Sequence, residues 1–191
     1  MIVVKKLICD LFAENCYVVY NSAKDCVIID PGSNFNDIVN FVRENKLNVH
    51  AVLLTHGHFD HTASCKKLQN LGFKVYISEL DLPMCNNANL SYASSNNYNQ
   101  ELFEPDVIIS NNQSSLTFGN LNVQILHVAG HSMGGLAYIV ENYLFSGDTL
   151  FKNGYGRTDL YGGSFKDIVK SVKLLLGYTK RGYILYSGHD C

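Results

Sequence analysis

A layered α+β domain, two sheets face to face with helices outside, is what three features of this 191-residue sequence predict. Strand-like apolar runs fill the first thirty residues and return after residue 114. Helical periodicity appears only in separate blocks between those regions and near the C-terminus. No linker composition or heptad repeat interrupts the chain, and its length suits one sizeable core, so residues 1–191 read as a single domain.

The first strands are "MIVVKKLI", "CYVVY" and "CVIID", separated by polar or acidic turns. Pro31 and Gly32 force a turn after the third. Phe35, Ile38, Val39, Phe41 and Val42 then recur at helical spacing, which predicts a helix over 35–46 with Asn34 or Asn36 as its cap. "VHAVLLT" reads as a fully buried strand. A helix over about 61–71, a strand in "FKVYIS" and a short helix around Leu80 to Cys85 follow. Residues 86–100, "NNANLSYASSNNYNQ", lack apolar periodicity and are expected to form a long surface loop, either a specificity element or a plain connector. "SSLTFG", "LNVQILHVA", "GGLAYIV" and "YLFSGD" supply further strands, then a helix from about Ser164 to Leu176 and a last strand, "GYILYSG".

Hydrophobic residues make up 47% and charged residues 17%, an ordinary globular balance, and the net charge is −2. No basic stripe marks a nucleic-acid partner. No apolar run approaches the ~18 residues that span a bilayer. Lys5, Lys6 and Asp10 break the N-terminal apolar stretch, so no signal-peptide core is expected and the chain reads as cytoplasmic, with a small-molecule substrate as its partner. The six cysteines form no C-x-x-C pair and are expected to be small buried hydrophobes rather than a disulfide framework.

Four strand ends deliver metal-type donors. "LLTHGHFDHTAS" carries His56, His58, Asp60 and His61; "VAGHSMGG" carries His131; "LFSGDTLF" carries Asp148; "LYSGHDC" carries His189. Glycine directly precedes His131, Asp148 and His189, where a tight turn brings backbone close to a site. Five imidazoles and two carboxylates suit borderline metals such as zinc, iron or manganese better than calcium or magnesium. They are too many for one four-coordinate ion and enough for two that share a carboxylate. His50 and His127 lie outside this pattern, and His127 is expected to pack or face solvent in its strand.

At these residues the sequence resembles the metallo-β-lactamase-fold hydrolases, through "THGHFDH", "GHS", "SGD" and "GHD" in order, with "NCYVVY" and "VIIDPGS" upstream. It is most similar to the short single-domain members of the glyoxalase II and persulfide dioxygenase branch through "GDTLFKNGYGRTDLYGGS". The resemblance implies a four-layered αββα sandwich with its metals at the edge where the two sheets meet. It implies two divalent ions, zinc first with iron or manganese as alternatives. His56, His58 and His131 would hold the first, Asp60, His61 and His189 the second, and Asp148 would bridge both. Asp60 would orient a hydroxide formed from the bridging water, which attacks a thioester or other ester-like carbonyl. A leaving thiolate of reference pKa roughly 8.5 needs no dedicated general acid. Asp30 would support the metal loops, a simple turn cap being the alternative. Cys65 reads as a packing residue on a helix face.

The sequence departs from the pattern in three places. The C-terminal helix or helical domain of relatives is absent. Arg157 and Asp159 stand where the glyoxalase II enzymes carry a glutathione-contacting lysine and tyrosine, and Cys191 where they carry a second tyrosine. Arg157 could bind a substrate carboxylate or pair with Asp159. The sequence also stops two residues after His189, which makes the second metal position the less secure one. Persulfide dioxygenases offer a rival reading, with one iron on His56, His131 and Asp148, and a catalytically silent metal-binding scaffold offers another. A lactamase reading is weakened by the lack of a secretory signal.

Overall fold

The computed structural model describes residues 1–190; Cys191 lies outside the described residues. The first sheet has the order β1-β2-β3-β4-β5-β6: Ile2–Ile8, Asn15–Asn21, Asp25–Ile29, Asn48–Leu53, Val75–Ser78 and Val107–Ile109. The first three strands pair antiparallel and β3 to β6 pair parallel. The second sheet has the order β11-β10-β9-β8-β7, with β7 Ser115–Phe118, β8 Leu121–His127, β9 Leu136–Val140, β10 Tyr143–Gly147 and β11 Ile184–Ser187. Strands β7 to β10 are antiparallel and β11 joins β10 in parallel.

Alternation along the strands builds the layers. Val19, Val27, Ile29, Ala51 and Leu53 face inward against Leu121, Val123, Leu136, Tyr138 and Phe145 of the second sheet. Their neighbours Val18, Cys26, Ile28 and Val52 point the other way, onto Ile38, Val39 and Val42 of α1 (Phe35–Glu44) and Cys65 and Leu68 of α3 (Cys65–Asn70). On the far side Ala137, Ile139 and Leu144 pack against Leu175 of α5 (Phe165–Lys180). Both faces of the central strands are thus covered, which is why "CVII" and "LAYIV" read as continuous apolar runs. The layered α+β sandwich expected from the sequence is the fold of the chain.

Several local expectations need correction. The helix expected over 61–71 is two pieces, α2 (Phe59–Thr62) and α3, because Ser64 N donates to Pro31 O instead of continuing the helical ladder. The strand expected to be fully buried over 49–55 is only half-buried at Val49 and His50 and buried from Ala51 onward. Strand β6 went unread because three residues, one of them exposed Ile108, are too few to display a period. The short helix α4 covers Leu82–Cys85. Helix α5 starts at a Ser164 cap that accepts from Asp167 N (3.3 Å) and runs through Gly177 to Lys180, four residues beyond Leu176.

The two sheets are stitched at both edges. At one edge Leu136 N donates to Thr55 O (2.7 Å) and Tyr138 Oη to Leu54 O (2.7 Å). At the opposite edge Asp25 accepts from Asn120 N (2.9 Å) in the β7–β8 turn and from Asn21 Nδ2 (3.0 Å), and faces His50 Nε2 (2.8 Å). The Asn120, Asn21 and His50 contacts, in that order, hold the Asp25 carboxyl down at about 2. A carboxylate depressed in the folded chain stabilises it fully above the unfolded carboxyl's pKa, and the gain disappears as pH falls through the folded value. Asp25→Asn is therefore expected to lower Tm by several degrees at neutral pH. The gap to the wild type should close as unfolding is followed downward from about pH 4 to about 2. A second expectation concerns Gly177, where an added Cβ meets nothing within 4 Å. Gly177→Ala should raise stability by about 0.5–1 kcal/mol in chemical denaturation, by removing backbone freedom from the unfolded chain.

Candidate metal centre

Strands β4, β8, β10 and β11 all end at the edge stitched by Thr55, so the polar turns that follow them converge there, outside the carboxyl ends of the strands. All seven side chains singled out from the sequence are brought together. His56, His58 and His131 form one group, and Asp60, His61 and His189 another, each with donor atoms within 4.8 Å of one another. His58 Nδ1 lies 2.9 Å from His131 Nε2, and His61 Nε2 lies 3.3 Å from His189 Nε2. Asp148 reaches both groups: Oδ2 is 3.6 Å from His131 Nε2 and 3.5 Å from His189 Nε2, while Oδ1 is 3.3 Å from His61 Nε2. Asp60 Oδ2 is 3.3 Å from His189 Nε2.

Each ring is aimed from behind. Asp30 sits at φ +49 and takes Thr55 N on Oδ1 (2.7 Å) and Thr55 Oγ1 on Oδ2 (2.6 Å), while Oδ2 also faces His61 Nδ1 at 3.0 Å. Thr55 Oγ1 in turn lies 3.0 Å from His56 Nδ1. His131 Nδ1 faces Arg157 O at 2.8 Å, and His189 Nδ1 faces Phe12 O at 3.1 Å. Partners of this kind fix which nitrogen points into a metal site.

Two supporting carboxylates escaped the sequence reading. Asp81 is buried and accepts from Gly57 N (3.3 Å), Ser132 Oγ (2.6 Å) and Gly134 N (2.7 Å), tying the His56–His58 turn to the His131 turn. In "ELDLP" it looks like an ordinary helix cap, and nothing in the sequence marks its burial. Glu14 is fully buried with Oε1 3.6 Å from His61 Nδ1, and neither of its oxygens has a hydrogen bond. Its place just before "NCYVVY" was the only available signal.

The electrostatics are those of a ligand cluster. Burial first, then neighbouring imidazoles, pushes His56 well below the usual histidine range and His58 down to about 3, so both rings are neutral and free to coordinate. Burial alone would raise Asp148, but His61 and then His131 and His189 hold its carboxyl well below the usual range. Burial opposes charge on His61 too, yet Asp148 and Asp60 raise it. His56 Nε2 and Asp148 Oδ1 are buried without a hydrogen-bond partner. Orphaned polar atoms of this kind are rare in proteins, and lone pairs that face one another across 3 Å suit a shared cation. The donor set therefore fits two divalent ions, one in each group.

A cavity of about 280 Å³ opens over the cluster, walled by Phe12, Phe59, Tyr92, Asn96 and Leu160. Segment 86–100 thus supplies part of the wall rather than merely connecting its neighbours. Arg157 also lines this cavity, but its guanidinium forks onto Asp159 with both distances 2.7 Å and lies 5.6 Å from the Tyr92 ring. A larger cleft of about 480 Å³ runs along α5 past Tyr155 and Leu176, with no metal-type ligand in its lining.

Known proteins share this architecture. Hydroxyacylglutathione hydrolase GloC of Haemophilus influenzae is 30% identical over 182 residues, 93% of this chain and 86% of that one. The crystal structure of BLEG-1, a B3 metallo-beta-lactamase, superposes with TM-score 0.93 at 31% identity, covering 99% of this chain and 92% of its own. That of TTHA1623 in a di-iron-bound form gives TM-score 0.83 at 31% identity, covering 98% and 93%. The match to the family as a whole runs over residues 9–189, from the turn after the first strand to the last candidate ligand, and the chain belongs to the metallo-beta-lactamase superfamily.

Proposed function

We propose that this superfamily hydrolase is dinuclear and cleaves a thioester or another ester-like carbonyl of a small molecule. The observation that carries this reading is Asp148, whose two oxygens reach the first group through His131 and the second through His61 and His189. Divalent ions held there supply a water that ionises near neutral pH and positive charge for the oxyanion of an attacked carbonyl. Zinc suits the donor set first, with iron or manganese as alternatives. Asp60, beside His189 and His61, orients the attacking oxygen toward the cavity. The likeness to a hydroxyacylglutathione hydrolase favours a thioester, whose thiolate leaves without a general acid.

Among the described residues, the thiols are poor rivals for the nucleophile. Cys9, Cys16, Cys26, Cys65 and Cys85 are all free and buried, and burial pushes each thiol above its usual range. Cys65 packs in the core under α3. Arg157 would meet a substrate carboxylate only by leaving Asp159. Nothing in the charge or the cavity calls for nucleic acid, and no helix among the described residues is long and apolar enough to cross a membrane. Action in the cytoplasm on a small molecule follows as part of the same proposal. The likeness to BLEG-1 favours a β-lactam as the second candidate substrate.

Asp60→Ala and Asp148→Ala are each expected to lower kcat by at least about a thousandfold on a thioester such as S-lactoylglutathione, with the circular dichroism spectrum unchanged. Full turnover in both variants would remove the site assignment. Metal analysis of the purified protein by mass spectrometry should find two zinc, iron or manganese ions per chain. Chelation should abolish turnover, and adding the same metal back should restore it. A single iron per chain, with oxygen uptake on glutathione persulfide, would instead establish the dioxygenase reading. Hydrolysis of a chromogenic cephalosporin faster than any thioester would move the substrate class to β-lactams.

A further inference from the structure

His189 is carried by β11, an edge strand that pairs only with β10 in its own sheet. Beyond the ladder to β10, further restraint comes from the other sheet. Asn15 N donates to Gly188 O (2.8 Å), and Asn15 Nδ2 donates to Ser187 O (3.1 Å) and Asp190 Oδ1 (3.0 Å). Tyr17 Oη donates to Ser187 O (2.6 Å), and Lys6 Nζ meets Asp190 Oδ2 (2.6 Å). Phe12 O accepts the far ring nitrogen of His189. Every one of these partners lies in the β1–β2 hairpin.

The hairpin is shaped for this contact. Phe12 and Ala13 both take left-handed backbone, φ +52 and +51, which side chains other than glycine adopt only at some cost. The turn is closed by Cys9 N on Glu14 O (2.8 Å) and anchored by Leu11 N on Ser33 Oγ (3.0 Å). Asn15 and Tyr17 are buried, and the Tyr17 ring packs against both Phe145 and Tyr186 at centroid distances of 5.3 and 5.2 Å. The same turn sets Glu14 behind His61. Among the described residues, no hydrogen bond links this hairpin to His56, His58 or His131. The first group is instead tied together by Thr55 and Asp81.

We propose that Asn15, Tyr17 and the Phe12 carbonyl are positioning residues for His189. The β1–β2 hairpin is a clamp that sets occupancy of the second metal position independently of the first. The clamp itself is a matter of chain mobility; its effect on occupancy rests on the dinuclear reading above.

Two measurements on full-length protein test it. In metal-free protein, Asn15→Ala should raise amide hydrogen exchange in the 184–190 segment at least tenfold while strands β4 and β8 keep wild-type protection. In zinc titrations followed by calorimetry and metal analysis, the same variant should retain the first ion at wild-type affinity and bind the second at least tenfold more weakly. Tyr17→Phe keeps the packed ring and loses only the hydroxyl, so it should show the same split at smaller size and reads the proposal if Asn15→Ala does not fold. Two ions bound by the variants as tightly as by the wild type would overturn the clamp and leave the dinuclear reading standing. Parallel loss of both ions would overturn it too, showing general destabilisation. One ion in the wild type would end the dinuclear reading and the occupancy claim together, and unchanged exchange at 184–190 would end the clamp whatever the metal count.

Discussion

The carboxylate of Asp30 fixes the strand end from which four of the seven clustered side chains emerge. It holds the backbone and hydroxyl of Thr55 with two hydrogen bonds and turns His61 from behind. Thr55 then carries its own carbonyl to Leu136 N, which joins the sheets, and its hydroxyl to His56. One buried side chain therefore couples sheet docking to ligand aim. The residue itself is held at φ +49, an uncommon conformation that the packed surroundings impose. A turn cap would satisfy one backbone group; this aspartate serves the loop, the interface between sheets and a ligand together.

The fold was legible where burial on both faces leaves a mark in composition. Val18 and Val19, or Ala137 and Tyr138, face opposite layers, and each layer demands an apolar side chain. The clustering of these side chains was legible because imidazoles rarely crowd at the end of an apolar run. What could not be read depends on contacts between distant segments. Ser64 bonds back to Pro31 and breaks a helix whose local pattern is unbroken. Asp81 looks like a cap and instead spans two ligand turns. Arg157 was weighed as a substrate contact; its guanidinium is committed to Asp159, and its carbonyl meets His131.

The second group posed a different problem. A histidine in the turn just after a four-residue edge strand has few local restraints, and the sequence offered no reason to expect it to be well held. The restraint comes from the first two strands, which nothing in the sequence links to the last one. Close packing adds to it: a Cβ on Gly188 would collide with Asp148 Oδ1 and come within 2.7 Å of His61 Cε1, so only glycine lets the last turn approach the other ligands.

That arrangement also bears on how the chain reaches its native state. Asn15 and Ser187 are 172 positions apart, and Lys6 and Asp190 are 184 apart. Contacts of such separation close long loops and are entropically demanding to form. His58 and His131 of the first group are 73 positions apart, while the second group joins His61 to His189 across 128. The cost of loop closure therefore falls more heavily on the second group than on the first.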